Sequence, residues 1–361
     1  MSSAPEPARA TQSPNPGPGV LEWVFLGPHG LRTGWSVLFA YCLFRLFRMV
    51  VVTFFVSANL VDESSGFTAA TELTLELIPF TAMLGAGVFA ALIEQRRMVD
   101  FNLTGPRRPL YFVSGLAAGF AALSALIGAL HWGGWLRIGP AAFSGAQMVY
   151  DAALWGLAFL AVGCVEEGLF RCYLQSTLTR GIDFWWALAA EIGLCLYLFL
   201  HPQNNGAWGV YAIALLGLLP CLALHLRSAA RSAFWQAAWV TSTGFGLIHT
   251  FNGGENWTGI FAAASIGFVF CVSVRVTGSA WWAIGCHAAW DWAETYFYGA
   301  ADSGLQARGH FLASSPVGNP LLSGGSDGPE GSLLALGSIL LLFALLVIMQ
   351  RGGKSAASPA A

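Results

Sequence analysis

Charged side chains are scarce in this chain: Asp, Glu, Lys and Arg make up 10% of its 361 residues, against 56% hydrophobic ones. A soluble globular domain carries about 25% charged residues, so the composition excludes one and implies an integral membrane protein. A basic excess is missing too. With 17 basic and 19 acidic residues the net charge is −2, which offers no polycationic surface for nucleic acid. Paired cysteines are also lacking. The seven (Cys42, Cys164, Cys172, Cys195, Cys221, Cys271 and Cys286) are scattered, mostly through apolar runs, with an odd count and no CxxC. Neither a disulfide framework nor a zinc–thiolate site is expected, and the thiols read as packing residues. The first 30 residues are rich in Pro, Ser and Ala and lack the basic region and apolar core of a signal peptide. Residues 1–32 and 351–361 are read as disordered tails.

Long apolar runs are abundant. A bilayer core takes about 20 apolar residues as helix, and ten segments qualify, at 34–57, 73–93, 110–131, 148–171, 184–200, 207–226, 233–251, 258–276, 279–298 and 331–350. The expected fold is therefore all-α, a polytopic transmembrane bundle. With the N-terminus inside, the inner loops and tails collect twelve of the basic residues, from Arg9 and Arg32 to Arg351 and Lys354, and the outer loops only Arg137 and Arg308. This asymmetry follows the positive-inside rule and puts both termini in the cytoplasm. Arg45 and Arg48 fall within the first span, one helical turn apart, and are read as snorkelling. The segment 299–330, rich in Gly, Ser and Pro, is a loop before the final span, either a lid or a disordered connector.

Against this background a few ionisable residues stand out. Glu166, Glu167 and Arg171 lie in LAFLAVGCVEEGLFRCYL; His249 ends TSTGFGLIHT; His287 and Asp291 lie in WWAIGCHAAWDWAE. Each charged group at membrane depth costs about 2.5–3.5 kcal/mol on insertion scales, so a chain that keeps several has a use for them. Helical residues four apart share a face. Glu167 can therefore pair with Arg171, while Glu166, turned about 100° away, stays free for proton transfer. The same spacing puts His287 and Asp291 on one face, suited to two ligands of one metal or to a histidine oriented by a carboxylate. Two imidazoles and up to three carboxylates either hold a divalent metal, zinc by donor type, or activate a water without one. Packing alone is a poor account of three such elements together.

In order and setting these motifs resemble the CPBP family, the CAAX-protease and bacteriocin-processing (Abi) intramembrane proteases. Its EExxxR, FxxxH and HxxxN/D motifs correspond here to EEGLFR (Glu166–Arg171), FGLIH (Phe245–His249) and HAAWD (His287–Asp291). The likeness is clear over about 147–182 and 231–298 and vague before them. It implies a helical membrane protease with a hydrophilic cavity, in a bacterial inner membrane. Glu166 would activate water, and His249 would assist it or ligate a metal. His287 and Asp291 would complete a metal site or stabilise the oxyanion, with Glu167 and Arg171 as the supporting pair. A metal, zinc for preference, would be held by His249, His287, Asp291 and Glu166. The implied substrate is a membrane-anchored or amphipathic peptide or protein.

One departure from the family pattern matters. Seventy-three residues separate Arg171 from Phe245, enough for an inserted helix pair at about 184–226. The catalytic core is thus expected over 147–298, behind N-terminal helices at 33–146. Within the insertion Glu191 is a candidate for the cavity wall, while His201 and His225 are read as interfacial. Glu166 and His249 both fall late in antiparallel spans, and they meet only if the fourth span continues to about Thr177. Phe245, Glu255 and Asn256 are candidate substrate contacts. Two other functions compete: a non-proteolytic scaffold or bacteriocin-immunity protein on the same fold, and a proton-coupled transporter, against which the lack of an internal repeat counts.

Overall fold

The computed structural model describes residues 19–27, 30–61, 66–141, 145–200, 207–227 and 232–356. A short α1 (Val20–Phe25) leads into a hairpin of β1 (Leu26–Gly27) and β2 (Gly30–Leu31). The expected disorder up to residue 32 therefore does not extend over this stretch. Arg32 Nε donates to the Trp23 carbonyl and Trp35 Nε1 to that of Val24, and residues 1–18 and 28–29 of that tail lie outside the described residues. The ten apolar segments all coincide with helix. They are α2 (Thr33–Ser57), α3 (Ala69–Ile93), α4 (Arg108–Trp132) and α5 (Ala146–Glu167), which continues through a π-helix at Gly168–Leu174 into α6 (Gln175–Leu178). Then follow α7 (Phe184–Leu200), α8 (Ala207–Leu226), α9 (Ser232–Ile248) with a 3-10 turn at His249–Phe251, and α10 (Trp257–Thr277). Next is α11 (Trp281–Asp291), extended by a π-helix at Trp292–Phe297. A short α12 (Pro320–Ser323) precedes α13 (Ala335–Ala356). This last helix starts later than expected and continues past residue 350, into the stretch read as tail; residues 357–361 lie outside the described ones.

Among the described residues, five rods are long and apolar enough to cross a membrane: Thr33–Ser57, Ala69–Ile93, Arg108–Trp132, the continuous Ala146–Leu178 and Trp257–Thr277. The protein is a helical membrane bundle. The fourth rod matters most for the site. Its 33 residues span about 50 Å at 1.5 Å each, well beyond a hydrocarbon core of about 30 Å. Glu166 is thereby moved inward from the helix end, the extension that its meeting with His249 requires. Polar contacts fix the overhang: Tyr173 Oη donates to Glu94 Oε1 (2.7 Å), and Arg180 Nη1 pairs with Glu94 Oε2 at 2.9 Å.

α11 packs closely on α4 because both present glycine at the contact. A Cβ at Gly115 would strike the Trp282 carbonyl oxygen, and one at Gly119 that of Cys286. This is the small-residue spacing by which membrane helices approach backbone to backbone. Around the contact Leu123, Leu126, Ile127, Leu130 and Trp282 are buried. Gly119→Val is expected to force the helices apart, with an overpacking cost of at least about 1–3 kcal/mol. Thermal unfolding in detergent would read it as a lowered midpoint.

Residues 299–331 are not a disordered connector. β4 (Ser314–Pro316) pairs antiparallel with β3 (Leu136–Ile138), and Trp155 Nε1 of α5 donates to the Gly309 carbonyl at 3.0 Å. At Gly254 and Gly304 the segment meets the turn after His249 so closely that neither position has room for a Cβ. It forms a lid over one end of the bundle.

Candidate active site

The glutamate pair ends α5 where the backbone widens into a π-helix, and Asp291 ends α11 where the second π-helix begins. Such widened turns gather at functional sites, because they re-aim side chains and loosen the hydrogen-bond ladder. The two glutamates part ways there. Glu167 and Arg171 are both fully buried and ion-paired, Nε–Oε2 3.2 Å. Glu167 Oε1 also faces His287 Nδ1 at 2.9 Å, and the side chain is fully buried and does not line the cavity described below. Glu166 keeps 29% of its side chain exposed. Its Oε2 has no hydrogen-bond partner and lies 3.8 Å from His287 Nε2.

His287 is thus ringed by carboxylates, since Asp291 Oδ2 also lies 3.4 Å from Nε2. The Nδ1–H donates to Glu167, and the one Nε2 lies toward both Glu166 and Asp291. Phe270 stacks on its face at 5.8 Å and Phe245 meets it edge-on at 6.1 Å. His249 Nδ1 lies 2.7 Å from the Phe245 carbonyl. A carbonyl only accepts, so Nδ1 carries the proton, and in the neutral ring Nε2 presents a lone pair.

Glu166, His249, His287, Asp291 and Phe245 line one cavity of about 260 Å³. Five acidic or hydroxyl side chains absent from the sequence-derived site join them: Glu72 and Glu76 of α3, and Asp302, Ser303 and Glu330 of the lid. Glu72 and Glu76 are four apart on a helix, the same spacing that singled out His287 and Asp291, so the signal was there in TELTLE. Asp302 and Glu330 carried no signal, because a Gly/Ser/Pro-rich segment has no periodicity to read.

The remaining candidates separate. Glu191 is buried on α7, with Gly217 and Thr243 as neighbours, and is not part of this cavity's wall. His225 stacks on Phe184 at 4.7 Å at the exposed end of α8, and His201 lies outside the described residues. Asn256 is engaged as a helix cap. Its Oδ1 accepts from the Thr258 and Gly259 amides, capping α10, and its Nδ2 donates to the Gly324 and Gly331 carbonyls. Glu255 sits just behind the cavity wall, accepting from Ser303 Oγ at 3.0 Å. In the lid, burial drives the acids upward: Asp302 to about 6, Asp327 to about 8, and Glu330 well above the usual carboxylate range.

Three ligand atoms gather within 4.8 Å, among the described residues, only at Glu255, Asp327 and Glu330. His249, His287, Asp291 and Glu166 offer zinc-type donors without gathering that closely.

The family described as "Type II CAAX prenyl endopeptidase Rce1-like" matches residues 148–228 and 223–293. The first segment contains Glu166, Glu167 and Arg171, and the second His249, His287 and Asp291. No curated protein matches, and no solved structure does.

Proposed function

We propose that this chain, matched over residues 148–228 and 223–293 by the type II CAAX prenyl endopeptidase Rce1-like family, is an intramembrane endopeptidase that uses Glu166-activated water on a membrane-associated peptide. The observation that carries this reading is the contrast between neighbours: Glu167 is fully buried against Arg171 and His287, whereas Glu166 is 29% exposed and lines the cavity. Glu166 takes a proton from a water held against the scissile carbonyl. The hydroxide adds to the carbonyl carbon, and the proton passes from Glu166 to the departing amine. His249, once protonated, turns an Nε2–H toward the cavity for the developing oxyanion. Glu167 and Asp291 hold the His287 ring in place, and Arg171 holds Glu167.

Zinc is the second reading, favoured by the donor types. It needs His249, His287, Asp291 and Glu166 to draw closer than they stand, so no step is routed through it. Metal analysis decides between the two. Protein purified and dialysed against a chelator is expected to contain less than one equivalent of zinc and to keep cleaving, and a stoichiometric zinc lost together with activity would reverse the assignment.

Glu72, Glu76, Glu166, Asp291, Asp302 and Glu330 face one cavity, which sets a substrate preference. Peptides with Lys or Arg near the scissile bond are expected to be cut faster than those with Asp or Glu, because a basic side chain is matched by the ionised form of these acids, whereas a further acid finds no partner among them. Relative kcat/KM over a peptide series that varies one position measures this preference.

A further inference from the structure

Behind the lid, three acidic side chains converge. Glu255 comes from the turn after His249, Asp327 and Glu330 from the far end of the lid, and one oxygen of each lies within 4.8 Å of the others. Glu255 is 5% exposed and Asp327 is fully buried. Half of their bonding capacity is met. The single Ser303 Oγ–H lies 3.0 Å from Glu255 Oε1 and 3.1 Å from Glu330 Oε1 and serves one of them at a time, the Ser303 amide donates to Glu330 Oε1 (2.9 Å), and the Asn256 amide donates to Asp327 Oδ2 (3.0 Å). The other half is not, since Glu255 Oε2 and Asp327 Oδ1 are buried without a partner. Buried carboxylate oxygens left unmatched carry a large desolvation penalty. The start of α10 accounts for Asp327 Oδ2 through the Asn256 amide, and for none of the orphan oxygens.

Glycine keeps the space open. A Cβ at Gly259 would press on Glu255 Oε2 and Asp327 Oδ2, and one at Gly331 on Asp327. The lid reaches the cluster through left-handed backbone at Ser303 (φ 47°), Gly304 (φ 83°) and Gly328 (φ 115°). Ser303 is a residue for which that region is uncommon, and it is the one whose hydroxyl bridges Glu255 and Glu330.

We propose that Glu255, Asp327 and Glu330 form a binding site for a hard divalent cation, Ca²⁺ or Mg²⁺, which staples the lid to the turn that follows His249. The donors are all oxygen, with neither imidazole nor thiolate among them, which selects hard ions over zinc. A cation there neutralises buried charge on both sides of the lid–turn contact and fixes the wall of the cavity that Ser303 and Glu330 contribute. The site adjoins the histidine–glutamate cavity through Glu330 but uses none of Glu166, His249, His287 and Asp291 as ligands, and it does not depend on the reaction assigned to them.

The test uses the full chain in detergent, stripped with EGTA and EDTA. CaCl₂, MgCl₂ and ZnCl₂ are titrated one at a time while thermal unfolding and tryptic cutting after Arg308 are followed, and Tb³⁺ luminescence serves as a direct probe of the hard-cation site. Ca²⁺ or Mg²⁺ is expected to raise the midpoint by a few degrees, as a ligand bound only to the folded state does, to protect the lid, and to displace Tb³⁺. Asp327→Asn and Glu330→Gln are expected to weaken cation affinity more than about tenfold, with Glu330→Gln as the milder change should Asp327→Asn fail to fold. Glu166→Gln is expected to retain the full shift, which separates this site from the catalytic one. No shift in the wild type, together with Asp327→Asn as stable as wild type or more so, would show that the acids share protons instead and would overturn the proposal. So would a shift that survives both lid substitutions or disappears in Glu166→Gln.

Discussion

Glu166→Gln is expected to abolish peptide cleavage while leaving the folded bundle intact. Glutamine is isosteric and cannot take a proton from water, so the loss falls on the chemical step. General-base catalysis contributes about 10²–10⁴-fold, and the reduction should appear in kcat with KM little changed. Glu166 is the partly exposed member of its pair and its Oε2 has no partner to lose, so thermal unfolding should move little. Product formation from a membrane-inserted reporter, measured beside the unfolding midpoint, tests both halves. Full cleavage by Glu166→Gln would remove the base from the mechanism. The same variant divides the competing functions. A scaffold or immunity protein keeps its phenotype, whereas a proton-coupled transporter, for which the acid-lined cavity would serve as a relay, loses ion coupling and never produced a peptide fragment.

How far the sequence carried depended on periodicity. Apolar runs have a length that a bilayer fixes, so ten segments were legible and all ten are helical. Spacing of four along a helix is equally legible: Glu167 does meet Arg171, and His287 does share a face with Asp291. The continuation of α5 was legible as well, because two antiparallel helices with late polar residues meet only if one is lengthened. The two π-helices were not, since nothing in GLFRCYL or WAETYF distinguishes a widened turn from a regular one. Nor was the lid. Asp302, Asp327 and Glu330 reach the bundle through positive-φ turns whose geometry depends on long-range contacts such as Trp155 with Gly309. The capping role of Asn256 was not legible for a related reason. An asparagine in a Gly-rich turn fits a ligand contact and a helix cap equally well, and only the following amides decide.

Arg171→Met is expected to produce the largest loss of stability of any single change at the site. Arg171 and Glu167 are fully buried, and removing one partner of a buried ion pair costs about 3–5 kcal/mol because the other charge is stranded. Packing adds to it. The guanidinium lies 4.2 Å from the Phe245 ring centroid and 5.4 Å from that of Phe270, and a Cβ at Gly267 would come within 2.7 Å of Nη2. Arg171→Lys keeps the charge and loses the planar fork, so its midpoint should fall between those of wild type and Arg171→Met. The decisive variant is the double one. Glu167→Gln with Arg171→Met removes both charges, and much of the lost stability should return, a coupling that a double-mutant cycle reads directly. Activity should not return with it. His287 Nδ1 donates to Glu167 Oε1 at 2.9 Å, and an amide cannot hold the ring against Glu166 and Asp291 as a carboxylate does. A double variant that regains both stability and turnover would reduce the clamp to a packing element; one that regains only stability makes Glu167 a positioning residue for His287.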